Sequence, residues 1–165
     1  MKLRPWYVVF AENPTCPLPA SLIAAVRPPV SDLMADFGSS MPWFEGSFKF
    51  QQDSPSVSQV LFARTIDSNN ERLTGLVKWL LDNSGLDTPS EQEKVIAHLR
   101  RTKQVISLTT LPLSRSARMA RVCEQVCGHL CRTLNGVIQV HQEGFFSPEG
   151  ESILPKNKVH RLKTA

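Results

Sequence analysis

Between Trp43 and Gln51 bulky side chains alternate with small or polar ones, with Phe44, Gly46, Phe48 and Phe50 on one side and Trp43, Glu45, Ser47 and Lys49 on the other. A period of two marks a strand with one face buried, so the chain is committed to a sheet that other elements must cover. Val60–Ile66 follows after the polar stretch Gln52–Ser56 and reads as an antiparallel partner, the pair resembling a hairpin. Trp6–Ala11, aromatic and β-branched and closed by Asn13-Pro14, predicts a buried first strand. Val105–Leu111 and Val137–His141 add two more. Phe145-Phe146, the turn-forming Ser147-Pro148-Glu149-Gly150 and Ser152–Leu154 predict a terminal hairpin.

The covering helices leave their own marks. Ser21–Val26 and Asp32–Phe37, separated near Pro28-Pro29, read as two short helical pieces, because proline is tolerated in a first turn and disfavoured within a helix. Ser68 with Glu71 forms a capping-box pattern ahead of Leu73, Leu76, Val77, Leu80 and Leu81, predicting a helix up to Gly85. Thr88-Pro89-Ser90-Glu91 starts another that buries Val95, Ile96 and Leu99 and ends in Arg100-Arg101, cations suited to the negative end of the dipole. A long helix from Ser116 carries apolar Met119, Val122, Val126, Leu130 and Leu134 and closes at Asn135-Gly136. This order predicts an α+β fold: a ferredoxin-like βαββαβ layer extended by a C-terminal helix and a β-hairpin, with the helices on one face of a mixed or antiparallel sheet.

A chain of 165 residues suits one domain, expected over residues 1–154 with a basic, mobile tail over 155–165. The net charge of +4 is concentrated there. Taking Lys156, Lys158, Arg161 and Lys163 from the 19 basic residues leaves 15 against 15 acidic ones. A neutral body disfavours a nucleic-acid-binding fold, whose phosphate groove would carry a cationic surplus. No apolar run approaches the roughly 20 residues needed to span a bilayer and no signal-peptide pattern opens the chain, so a cytoplasmic protein without membrane contact is expected. Its four cysteines are then expected as free thiols.

No motif names a reaction. Phosphate-loop, dinucleotide-turn, nucleophile-elbow, zincin and EF-hand patterns do not occur, and no cofactor is expected. Cys123, Cys127 and Cys131 stand four apart on the long helix. Cys123 and Cys127 belong to its apolar face and Cys131 to the edge, which core packing explains better than a metal, so no metal site is assigned. For acid–base chemistry the residues to examine are His141 and Glu143 at a strand end and Glu12 after the first strand, because strand ends converge polar groups on loops. His98, at a basic helix end, reads as a surface residue.

For partner binding, Trp43 faces away from the Phe set, and Arg115, Arg118, Arg121 and Arg132 sit on or beside the polar side of the long helix. With Lys156, Lys158, Arg161 and Lys163 these arginines suit phosphate or an acidic surface. The ending Gly136-Val-Ile-Gln-Val-His-Gln-Glu-Gly-Phe-Phe with its Pro-Glu-Gly turn resembles the close of small bacterial α+β proteins, some of them immunity or adaptor proteins. Because the chain carries no recognisable reaction centre, the leading expectation is a non-catalytic protein-binding module of adaptor or immunity/inhibitor type, with another protein as partner and an unpaired edge strand open to homodimerisation. The alternatives are a small acid–base or hydrolytic enzyme using His141, Glu143 and Glu12, and binding of nucleic acid or an acidic partner through the tail and the arginine face.

Overall fold

A computed structural model describes residues 6–51, 59–66, 75, 90–110, 116–141 and 143–155. The described strands are β1 (Tyr7–Ala11), β2 (Leu33–Asp36), β3 (Glu45–Phe50), β4 (Gln59–Ile66), β5 (Gln104–Thr110), β6 (Gly136–Val140), β7 (Gly144–Phe146) and β8 (Ser152–Pro155). The helices are α1 (Pro19–Ala24), α2 (Ser90–Arg101) and α3 (Ala117–Leu134). The helix expected over Ser68–Gly85 lies, apart from helical Gly75, outside the described residues, as does the basic tail beyond Pro155.

The strands form one sheet in the order β2-β3-β4-β5-β1-β6-β7-β8, antiparallel at every pairing. The α+β class stands, but the ferredoxin-like order does not. That layer would set β1 between β4 and β5, whereas here β5 separates them. The register shows why: β5 matches β4 from Val60↔Thr110 to Ile66↔Gln104 and uses its other edge for β1, so β1 is left to take β6 on its far side. β5, α3 and β6 then make a crossover between parallel strands split by β1.

Helices cover both faces, not one. Tyr7, Val9 and Ala11 of β1, Ile106 and Leu108 of β5 and Ile138 of β6 point into the larger core, closed by Leu22 and Val26 at α1 and by Met119, Val122, Cys123, Val126, Cys127, Leu130 and Leu134 of α3. The alternate residues Phe10, Val105 and Val137 point the other way, onto Val95 and Leu99 of α2 and Phe145. The crossovers β1–α1–β2 and β5–α3–β6 start from antiparallel strands and run toward opposite edges, so a shared handedness puts their helices on the same face. Gln125 on α3 ties the two together, accepting from the Arg27 N–H (3.0 Å) and donating to the Arg27 carbonyl (2.6 Å).

Local signals hold at both ends of α3. Ser116 accepts from the Met119 N–H at 3.1 Å, and Asn135 closes the helix in the left-handed region with φ 52°. Asp32–Phe37 overturns its expectation: Leu33–Asp36 is an edge strand paired with β3. Leu, Met and Ala favour helix locally, yet pairing with β3 buries Leu33 against Phe50, and tertiary packing outweighs intrinsic propensity.

Candidate functional site

The three expected acid–base residues do not meet. Glu12 follows the last residue of β1, whereas His141 donates its backbone N–H to the Trp6 carbonyl (2.8 Å) at the strand's other end. Six residues of extended chain separate the two places by about 20 Å, so a site joining Glu12 to His141 is excluded. Glu143 lies near the His141 end, in the turn between β6 and β7, with its N–H donated to Val140 (3.0 Å).

Glu12 is instead a staple between three elements. Its Oε1 accepts from Arg101 Nε (2.8 Å) and stands 2.8 Å from the second guanidinium nitrogen and 3.1 Å from His98 Nδ1, while Oε2 accepts from Asn135 Nδ2 (3.0 Å). His98, expected at the surface, is buried, with Nε2 at 2.7 Å from the Phe10 carbonyl. It shares the helical face of Val95 and Leu99, a spacing of three and four that the sequence already displayed. The Arg101 hydrogen bond first, with the fields of His98 and Arg101, holds the Glu12 carboxyl below its usual 4.5. A lowered folded-state value means that the stabilisation is complete above about pH 4.5 and is lost as pH falls through the folded value. Urea midpoints measured from pH 7 to pH 3 are therefore expected to fall more steeply in the wild type than in Glu12→Gln. Parallel curves would show that the staple contributes nothing.

The expected partner residues fare unequally. Trp43 is 1% exposed, too buried to meet a partner. The alternation that set it outward does not reach it, because β3 begins only at Glu45. Its indole Nε1 donates to the Pro17 carbonyl (2.7 Å) and its ring packs on Phe37 at 4.8 Å between centroids. Phe37 in turn lies where a Cβ on Gly46 would stand. Arg118 is engaged in a two-pronged ion pair with Asp32 and lies 3.9 Å over the Phe50 ring. Arg121 is exposed, and exposed Arg132 donates to the Pro148 carbonyl (3.3 Å). Arg115, Lys156, Lys158, Arg161 and Lys163 lie outside the described residues. Arg132 and Glu143 line a cavity of about 460 Å³ between α3 and the β6–β7 end of the sheet.

Sequence reasoning missed what holds the opposite end. Arg64 is 4% exposed, and its N–H groups reach Gln104 Oε1 (2.7 Å), the Trp43 carbonyl (3.3 Å) and the Pro14 carbonyl (3.0 Å). Gln104, also buried, turns its amide nitrogen to the carbonyls of Asn13 and Thr15 (2.9 Å for Thr15). With the Trp43 indole on Pro17, side chains thus capture the carbonyls of residues 13, 14, 15 and 17, a loop that runs outside the sheet ladder. The signal was parity: Arg64 falls on the face of Val60 and Phe62, and Gln104 on that of Ile106 and Leu108. Among the described residues no carboxylate pairs with Arg64, and burial pushes its pKa down.

Around this anchor stand three large apolar side chains that the fold leaves out. Leu18 is 61% exposed, and Met41 and Phe44 are each 51% exposed. Leu18 follows Pro17, the acceptor of the Trp43 indole, while Met41 and Phe44 flank Trp43, and the Phe44 ring lies 5.7 Å from the Arg64 guanidinium carbon. The exposed Phe44 ring thus lies against a buried positive charge, with Leu18 and Met41 near it only through their chain neighbours Pro17 and Trp43.

The cysteine stripe is core. Cys123, Cys127 and Cys131 are all buried, Cys131 included, which the helical spacing set at the edge. Burial pushes the Cys123 and Cys131 thiols up to about 12, far from the thiolate form that metals and nucleophilic chemistry need. Among the described residues no three His, Cys, Asp or Glu side chains gather as metal ligands, and no helix is long and apolar enough to cross a membrane. No protein-family model matches the chain, and neither a curated protein nor a solved structure shows significant similarity to it.

Proposed function

We propose that this protein is a cytoplasmic, non-catalytic binding module, and that its rim of Leu18, Met41 and Phe44 receives an apolar protein segment bearing a carboxylate. The observation that carries the reading is the exposed Phe44 ring lying against Arg64, a buried cation whose hydrogen-bond acceptors among the described residues are all neutral. Aromatic and Met side chains are enriched at the centres of interfaces, and a positive field under an apolar surface selects an acidic group on the partner. The captured loop supplies the rigidity such a surface needs, because ordering it at the moment of binding would cost affinity. This keeps the adaptor or inhibitor reading while moving its contact from Trp43 to its neighbours.

Selection of random peptides from a display library on the immobilised protein tests it. Enriched peptides are expected to combine large apolar residues with Asp, Glu or a free C-terminus. Their affinity is expected to fall about 10- to 30-fold against Phe44→Asp, since interface hot spots are worth about 2 kcal/mol. No enrichment, or enriched peptides that bind Phe44→Asp and Met41→Glu as well as the wild type, would remove the proposal.

A further inference from the structure

At the other end of β1 the cavity beneath α3 has the features of a built site. Its volume of about 460 Å³ falls within the roughly 300–1,000 Å³ of small-molecule pockets. Tyr7 lines it from the sheet and is 5% exposed. Its hydroxyl has no hydrogen-bond partner among the described residues, whereas buried polar side chains nearly always have one. Ile138, Val140 and Phe146 give the walls an apolar character.

Three carboxylates reach the cavity from three separate segments: Glu124 from α3, Glu143 from the β6–β7 turn and Glu149 from the turn before β8. All three are exposed and, taken singly, would be solvated surface acids. What sets them apart is that they line one cavity with a buried hydroxyl that has no hydrogen-bond partner among the described residues, and that the fields of Glu124 and Glu143 reach it. Among the described residues only Arg132 stands against them, drawn aside to the Pro148 carbonyl (3.3 Å), so the described lining carries two negative charges in excess. Gly128 of α3 also lines the cavity, and a Cβ there would meet Arg132 at 3.3 Å and the Pro148 carbonyl at 3.5 Å. Glycine inside a helix carries a penalty relative to alanine, and here it keeps the wall open. Burial above all, with the fields of neighbouring thiols and of Glu124 and Glu143, pushes the Tyr7 hydroxyl's pKa up, leaving it a neutral group able to accept as well as donate.

We infer that this cavity binds a short aliphatic diamine or polyamine. Its ammonium groups would donate to the carboxylates and to the Tyr7 oxygen, and its methylenes would lie on the apolar wall. Two ammonium charges match the excess of the lining. A neutral alcohol would leave the carboxylates uncompensated, and an anion would be repelled.

Titration calorimetry of the full chain with spermidine and with 1,4-diaminobutane at moderate salt tests the assignment, with glutarate and magnesium chloride as separate ligands. Saturable binding of one amine per chain is expected, weakened at least fivefold by Tyr7→Phe and at least tenfold by Glu124→Gln combined with Glu143→Gln. Both glutamates are exposed, so the double variant keeps the fold even should Tyr7→Phe disturb it, and thermal melting of each variant verifies this. Absence of binding, amine binding that none of the substitutions weakens, or displacement of spermidine by equimolar magnesium would each overturn the inference. The last outcome would reduce the site to an ordinary acidic cluster.

Discussion

Arg64→Ala is expected to destabilise the protein by about 3–4 kcal/mol, because it strands several buried acceptors at about 1–3 kcal/mol each and opens a void. The acceptors are Gln104 Oε1 and the carbonyls of Trp43 and Pro14. Release from burying a cation that has no carboxylate partner among the described residues offsets part of the loss, which is why the expected cost falls short of the sum. Against a total stability of about 5–15 kcal/mol for a domain, the change is large and readable as a shift in the urea midpoint at unchanged slope. Arg64→Met separates the two causes: it refills the volume without donating, so the loss that remains, about 1–3 kcal/mol, measures the abandoned carbonyls. A change below about 1 kcal/mol in Arg64→Ala would show that the loop over residues 13–17 does not depend on this side chain, and the rigidity claimed for the rim would go with it.

Trp43→Ala is expected to cost about 3–5 kcal/mol, the range for removing a large buried aromatic side chain. The indole is fully buried, packs on Phe37 and on Phe62 (4.8 and 6.4 Å between centroids) and donates to Pro17. Phe37, Phe48 and Phe62 also touch one another, so removing the indole opens a void in one connected aromatic cluster. At about 2–4 °C per kcal/mol for a chain of this size, thermal melting should drop by roughly 10 °C or more. Trp43→Phe, which keeps most of the ring volume and loses the donor, should cost about 1–2 kcal/mol. A tolerated Trp43→Ala would return this residue to the surface role that the period of two first gave it.

Where hydrophobic period and burial agree, the fold was readable in the residues. β1, β3, β4, β5 and β6, the hairpin of β7 and β8, α2 and α3 all lie at or within a few residues of their expected places, since each carries its own repeat and its own stop signal. Two kinds of information were missing. Leu33–Asp36 is a strand only because β3 offers it an edge, and no local property of Leu-Met-Ala-Asp records that offer. The strand order likewise depends on which strands out-compete others for β1, a comparison between segments about a hundred residues apart. The functional residues divide in the same way. Arg64, Gln104 and Tyr7 sat on inward-facing positions of alternating strands, so polar groups at apolar parity were visible as anomalies. Convergence was not: Glu12 and His141 looked alike as strand-end residues, and only β1 itself sets them apart.

The central place of β1 also shapes how the protein must be made. Its register partners, Leu108 to Gln104 on one side and Val140 to Gly136 on the other, emerge from a ribosome roughly 5–25 s after Tyr7–Ala11 at ~5–20 residues per second. Through that interval Val8, Val9 and Phe10 have both edges unpaired, while the β2–β3–β4 meander closes early through neighbours in sequence. Long-range pairing of this kind slows folding and lengthens exposure to aggregation. α3 and β6, made more than a hundred residues after β1, therefore complete a sheet whose middle has been waiting for them, and loss of β6 would leave β1 without one of its two neighbours.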